Sequence, residues 1–175
     1  KMTAILTGQQ CKFMIKSTPL YGLVFFLLSC SASHMDINSS ELQNIPVELT
    51  THLGYQQQFV EGDEIQFLLS LGSYAYIYMY YINAEDDLVQ ILPNQNQRSN
   101  YYSAGYFLTI PEYDNGYRFI INKPFGDEFI WIFASDQSIT LNKNDNSIAR
   151  IKEKIKQESK QAYGEYVLKI TTLKK

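Results

Sequence analysis

The sequence predicts a mainly β fold: an antiparallel β-sandwich of about seven to eight strands with one surface helix before the last strand. Three observations predict it. Apolar and polar residues alternate with a period of two through much of the chain after residue 47. Turn-forming residues break that alternation at short intervals, as at Gly62-Asp63, "NAEDD" (83–87) and Asn115-Gly116. The period then changes once, at Ile148, Ile151 and Ile155, to helical spacing.

Each element follows in order. Val47 and Leu49 share a face in a first strand, 47–50. After the Gly62-Asp63 turn, Ile65, Phe67, Leu69 and Leu71 alternate with Glu64, Gln66 and Ser70 in a half-buried strand. Residues 74–82, "YAYIYMYYI", form a strand with Tyr74, Tyr76, Tyr78 and Tyr80 on one face and Ala75, Ile77, Met79 and Tyr81 on the other. The chain turns through 83–87, returns as a strand at 88–92 and stops at Pro93-Asn94. "PNQNQRSNYYSAG" (93–105) has no period and reads as a long polar loop. A strand at 106–110 is closed by Pro111, and Asn115-Gly116 is a strong turn signal. Tyr117, Phe119 and Ile121 alternate in the next strand, and "KPFGDE" (123–128) is a turn. "FIWIFA" (129–134) is apolar on both faces, which marks a central strand covered on both sides. A helix at 147–160, capped by Asp145 or Ser147, carries a narrow isoleucine stripe and so lies on a surface. Gly164 ends it, and 165–173 is the last strand. There is no internal repeat.

The first residues read differently. Met14-Ile15-Lys16-Ser17 is a short positive start, and Leu20 to Leu28 is an apolar run too short to span a bilayer but suited to the core of a signal peptide. Leu27-Leu28-Ser29-Cys30 follows it and resembles the lipobox of bacterial lipoproteins. That resemblance implies cleavage before Cys30 and lipidation of its thiol and new amino group, since two or more chains anchor firmly where one does not. Ser31, rather than an aspartate, after the cysteine resembles the pattern sorted to the outer membrane. The expected organisation is a removed segment at 1–29, a lipidated Cys30 with a polar tether through residue 46, and a β-sandwich domain at 47–175. Cys11 falls in the removed part, so the mature domain has neither free thiol nor disulfide and holds together by packing.

Four stretches in the mature chain carry a second resemblance. "EGDEIQFLLS" (61–70), "YAYIYMYYINAEDDLVQILPN" (74–94), "AGYFLTIP" (104–111) and "PFGDEFIWIFAS" (124–135) together resemble the uncharacterised domain family DUF 4384. The matching positions are Gly62 and Glu64, Tyr74 and Tyr76, Leu92-Pro93-Asn94, Ile110-Pro111, Pro124, Gly126, Glu128 and Ala134-Ser135. Ile91-Leu92 stands where members have Leu-Phe. The resemblance covers about 60–173 and implies a β-rich accessory module of exported bacterial proteins, with no known catalysis and no assigned site.

Composition narrows the function further. The net charge is −3, and loss of Lys1, Lys12 and Lys16 with the leader takes it to −6. A mildly acidic chain without a basic stripe is no nucleic-acid binder. No metalloprotease, nucleophile-elbow or phosphate-loop motif is present, and neither metal nor cofactor is expected. His52 reads as a surface strand residue, and "NKNDNS" (142–147) lacks the glycine and distal glutamate of a calcium loop, leaving helix capping as its reading. Asp86-Asp87 and Asp127-Glu128 read as turn residues, with paired carboxylates for glycoside hydrolysis as the sharper alternative.

The tyrosine face needs its own explanation. In the plainer reading the helix at 147–160 lays its isoleucines on the rings; in the sharper one the rings form an aromatic platform for a glycan, a peptide or a partner protein; cross-strand packing without a ligand is the third. The candidate binding surface is Tyr74, Tyr76, Tyr78 and Tyr80 with the loop amides Asn94, Asn96 and Asn100. The expectation for function is an outer-membrane lipoprotein, facing the periplasm or the cell surface, held in the membrane by lipid at Cys30. It acts there as a non-catalytic binding or assembly module for envelope proteins. Glycan or peptidoglycan binding through the aromatic face is the alternative, and a hydrolase using turn carboxylates ranks third.

Overall fold

In the computed structural model, which describes residues 41–54, 57–113, 116–142 and 144–175, the alternating pattern resolves into twelve strands and one helix among the described residues. The expected leader, 1–29, and Cys30 lie outside them. The strands are β1 (Gln43–Asn44), β2 (Val47–Thr51), β3 (Gln58–Val60), β4 (Glu64–Ile65), β5 (Phe67–Leu71) and β6 (Ala75–Ile82). There follow β7 (Leu88–Leu92), β8 (Tyr101–Tyr102), β9 (Phe107–Ile110), β10 (Phe119–Ile120), β11 (Asp127–Ser135), the helix α1 (Ile148–Glu158) and β12 (Ala162–Leu173).

One large sheet runs β1-β12-β11-β6-β7, with β3 beside β12 and β8 beside β6. Its spine is long and regular. β11 pairs with β12 from Asp127 opposite Thr171 to Ser135 opposite Tyr163, and with β6 from Phe129 opposite Ile82 to Ser135 opposite Tyr76. The expected central strand is therefore central, two residues longer at its start than its apolar run. A three-stranded sheet, β2-β5-β9, faces one side of this spine, and a two-stranded piece, β10-β4, stands apart from both.

Period-two alternation sorts β6 and β11 into two cores. Ala75, Ile77 and Met79 with Ile130 and Ile132 meet Leu49, Phe67, Leu69 and Ile110 of the smaller sheet. Tyr78, Tyr80 and Phe133, on the opposite face, meet Ile139 and the α1 residues Ile151 and Ile155. The helix thus makes a third layer, and Ile151 and Ile155, 1% and 0% exposed, seat it. Burying each contributes about 1.5–3 kcal/mol. Ser147, in extended conformation, caps the helix start through its hydroxyl, which accepts from the Arg150 N–H at 3.4 Å.

Four features differ from the sequence reading. First, there are more strands than seven or eight, because β1, β3, β4, β8 and β10 are two or three residues long, too short to show a period. Second, the sheets are not wholly antiparallel: β1 and β3 both pair parallel with β12. β12 is twelve residues long, and these short segments cover its outer edge near either end, which blunts an otherwise open edge. Third, the folded part begins before residue 47, since β1 joins the sheet and Ile45 is 2% exposed. Fourth, Gly164 does not end the helix. The helix stops at Glu158 with Ser159 as its cap, and Gly164 lies within β12, where a Cβ would collide with the Ile45 carbonyl oxygen and Val47.

Candidate functional site

The tyrosine face, Tyr76, Tyr78 and Tyr80 on β6 with Tyr74 immediately before the strand, is divided along its length. Tyr78 and Tyr80 are 2% and 3% exposed, under α1 and the segment that leads to it. The Tyr78 hydroxyl accepts the Ile139 N–H at 2.6 Å and donates to the Ile139 carbonyl at 3.2 Å, pinning that segment from within the core. Burial lifts the Tyr80 phenol above its ordinary pKa, helped by Tyr78 and Asp145. These two tyrosines leave the candidate binding surface, because the helix expected over the face does lie over them.

The other end of the strand is open. Tyr74 is 62% exposed and Tyr101 of β8 is 51% exposed. The two rings stack with centroids 6.2 Å apart, and the half-buried Tyr76 closes on Tyr101 at 4.8 Å. β8 brings Tyr101 there through its pairing with Ala75 and Tyr76, a partner that the sequence reading left inside a structureless loop.

That loop is held by its own polar residues. Asn94 accepts the N–H groups of Asn96 and Gln97 through Oδ1, both at 2.7 Å, and donates to the Ile91 carbonyl and the Tyr117 hydroxyl. Buried Gln97 donates to the Tyr102 hydroxyl and to Glu112, both at 2.7 Å, and accepts from the Tyr117 hydroxyl at 3.2 Å. Burial pushes the Tyr102 phenol up to about 12 against the lowering effect of Gln97. Asn100 donates to the Ile77 carbonyl at 3.1 Å. Asn94 and Asn100 therefore shape the loop, whereas Asn96 keeps an exposed side chain.

A second feature was not singled out from the sequence. A cleft of about 370 Å³ opens at one end of the sandwich. Ile65, Phe67, Ile91, Phe119, Ile121 and Ile170 form its apolar wall, and Arg118 and Lys123 also line it. Glu128 lines it as well and is 1% exposed. The Thr172 hydroxyl donates to Glu128 Oε1 at 3.1 Å, the Tyr81 phenol stands beside the carboxyl, and Oε2 has no hydrogen-bond partner. Burial raises the Glu128 pKa, and Tyr81 and Thr172 oppose the rise. Asp127 faces the other way, exposed, in an ion pair with Lys169 at 2.7 Å. Glu128 and Asp127 are thus the first residues of β11 and not a turn. The signal was present: Glu128 has the parity of Ile130 and Ile132, which point into the core.

Asp86 and Asp87 do sit in a turn. The Asn83 side chain accepts the N–H groups of Glu85 and Asp87 at 2.9 and 2.8 Å, and Asp86 takes φ 65°. Asp145 accepts from the Asn142 N–H and from Lys154, tying the loop to α1. His52 Nδ1 accepts the Gln66 N–H at 3.2 Å. Among the described residues no cluster of His, Cys, Asp and Glu is arranged to hold a metal ion, and no helix is long and apolar enough to cross a membrane.

With this geometry in place, comparison with family models gives one assignment. Residues 58–138 match the model described as Domain of unknown function (DUF4384). This stretch is a DUF4384 domain. No curated protein and no solved structure matches the chain. The DUF4384 match runs from β3 to just beyond β11 and contains both the aromatic end and most of the cleft. α1 and β12 lie beyond it, yet they complete the domain in this chain: β12 pairs with the whole of β11, α1 covers Tyr78 and Tyr80, and Thr172 holds Glu128.

Proposed function

We propose that this chain is an outer-membrane-anchored bacterial lipoprotein whose DUF4384 domain is a non-catalytic binding and assembly module. In this reading it docks an envelope protein through the open end of the tyrosine face, where Tyr74, just before β6, stacks on Tyr101 of β8. The exposed pair of stacked rings carries the proposal. Tyrosines with an apolar body and a polar tip are enriched at contact surfaces, and the neighbouring β6 shows what a merely structural tyrosine looks like, buried and bonded at Tyr78. The Leu27-Leu28-Ser29-Cys30 resemblance supports the anchor. A protein partner is favoured over a glycan or peptidoglycan because Asn94 and Asn100 spend their amides on the chain itself, leaving Asn96 as the free amide of the three. The non-catalytic reading is supported by the cleft, which Glu128 lines as its one carboxylate, where acid–base glycoside hydrolysis uses two.

The test has two arms. Metabolic labelling with a radioactive fatty acid should mark the wild-type chain and leave Cys30→Ala unmarked; equal labelling of both contradicts the anchor. Pull-down of the membrane-extracted chain from its own envelope should recover a reproducible protein that Tyr74→Ala and Tyr101→Ala both lose. Recovery that is indifferent to both substitutions moves the contact elsewhere on the domain, and retention on purified peptidoglycan alone favours the glycan reading.

A further inference from the structure

The cleft beside Glu128 is separate in kind from the aromatic surface. Its volume, about 370 Å³, falls in the range of small-molecule sites. Its wall is made of isoleucine and phenylalanine side chains from β4, β5, β7, β10 and β12. Hydrophobic walls alone would be poor grounds for a ligand. The buried carboxylate is a second, independent feature of the cleft. Glu128 is 1% exposed; the Thr172 hydroxyl donates to one oxygen, the Tyr81 phenol stands beside the carboxyl, and Oε2 has no hydrogen bond of good geometry. A buried, unpaired carboxylate oxygen is costly, and native interiors seldom keep one without a reason.

The residues around it supply no cation. Arg118 lines the cleft but is held by Glu64 at 3.0 Å. Lys123 also lines it, and among the described residues it makes no ion pair with Glu128 or with any other acid. Lys169, the nearest basic residue on β12 in register, is committed to Asp127 on the outer face. Thr172 and Tyr81 are neutral donors, so a positively charged partner for the carboxylate comes from outside the chain. It must donate a hydrogen bond, it gains most by carrying positive charge, and it must have an apolar body to fill the wall.

We infer that this cleft binds a small organic amine: a protonated ammonium group donating to Glu128 Oε2, with a hydrocarbon or aromatic body against Ile65, Phe119, Ile121 and Ile170. Both halves of the recognition are needed. The body without the charge leaves the carboxylate without a counter-charge, and the charge without the body leaves the wall wet. Arg118 and Lys123 line the same cleft and disfavour a second positive charge on the ligand.

The experiment titrates the full chain with 2-phenylethylamine and, separately, with 2-phenylethanol and 3-phenylpropionate, which keep the body and change the head group. Binding is followed by calorimetry and by chemical shifts of the isoleucine methyl groups. The amine should bind saturably, about tenfold or more tighter than either analogue, with shifts at Ile65, Ile121 and Ile170. Glu128→Gln should remove that preference while the alcohol is unaffected. If Glu128→Gln fails to fold, Val89→Trp serves instead: Val89 lines the cleft, is 50% exposed, and an indole there fills the cavity without entering the core. It should abolish amine binding with the fold intact. Equal binding of amine and alcohol, binding that survives either substitution, or no binding of the amine overturns the inference. None of these outcomes bears on Tyr74 and Tyr101, so the proposed docking function stands or falls separately.

Discussion

Tyr74 and Tyr78 belong to one alternating run, with Tyr76 between them, and their fates are opposite. Tyr78 is buried, bonded twice to Ile139 and roofed by Ile151 and Ile155. Tyr74 stands out past the helix, 62% exposed, with only Tyr101 stacked against it. Alternation decides which face of the sheet a residue occupies, but it says nothing about how far the covering layer extends. α1 is eleven residues long, and the coverage it gives the tyrosine face stops short of Tyr74. Identical residues of one alternating run therefore divide into core and surface according to the neighbouring element, not their own chemistry.

The contrast can be broken from the covering side first. Ile155→Ala, at a position 0% exposed, should cost about 2–5 kcal/mol, read as a lowered denaturant midpoint, because it leaves a cavity over Tyr78 and Tyr80. Next in size, Tyr78→Phe keeps the ring and removes the hydroxyl. It should destabilise by about 1–3 kcal/mol, since both polar groups of Ile139 lose their buried partner. The equivalent change at Tyr74 removes no hydrogen bond seen in the structure. A third effect emerges only at high pH. Burial raises the Tyr80 pKa above the ordinary 10.0. The unfolded chain then loses its proton first, so this contribution to stability is complete below pH 10 and disappears as pH rises beyond it. Alkaline titration followed by ultraviolet absorbance should show the last tyrosines ionising together with unfolding, and a single early phase would show that the face is open. Ser147→Ala, which removes the helix cap, should cost about 1 kcal/mol in the same denaturation assay. Smallest of all, Tyr74→Ala should change stability by less than about 0.5 kcal/mol, so any loss of partner recovery it causes reports on contact and not on folding.

Much of this division was legible in the residues. The period of two separated Ile77 and Met79 from the tyrosines, and the Ile148, Ile151, Ile155 stripe needed an apolar partner that the tyrosine face offered. "FIWIFA" marked the central strand because both its faces are apolar. What stayed hidden depends on neighbours distant in sequence. Gly164 reads as a helix terminator, yet its requirement for no side chain comes from the backbone of Ile45. β1 and β3 are set by the exposed edge of β12 and carry no pattern of their own. The loop at 93–105 has no period because polar bonds from Asn94, Gln97 and Asn100 organise it instead of apolar contacts. Glu128 lay in between: its parity with Ile130 was readable, but a glutamate beside Asp127 after Gly126 reads as turn chemistry, and only the cleft shows why it is buried.

The central claim is that the open end of the tyrosine face is a contact surface, whereas its covered end is core. Site-specific photo-crosslinking in the native envelope tests it most directly, with a photoreactive residue placed at Tyr74 and, as an exposed control on β12, at Val167, which is 39% exposed. The account predicts one dominant protein adduct from position 74, lost when Tyr101→Ala is added, and no such adduct from position 167. The same adduct from both positions, or none from position 74, would contradict it and leave Tyr74 an exposed residue without a partner.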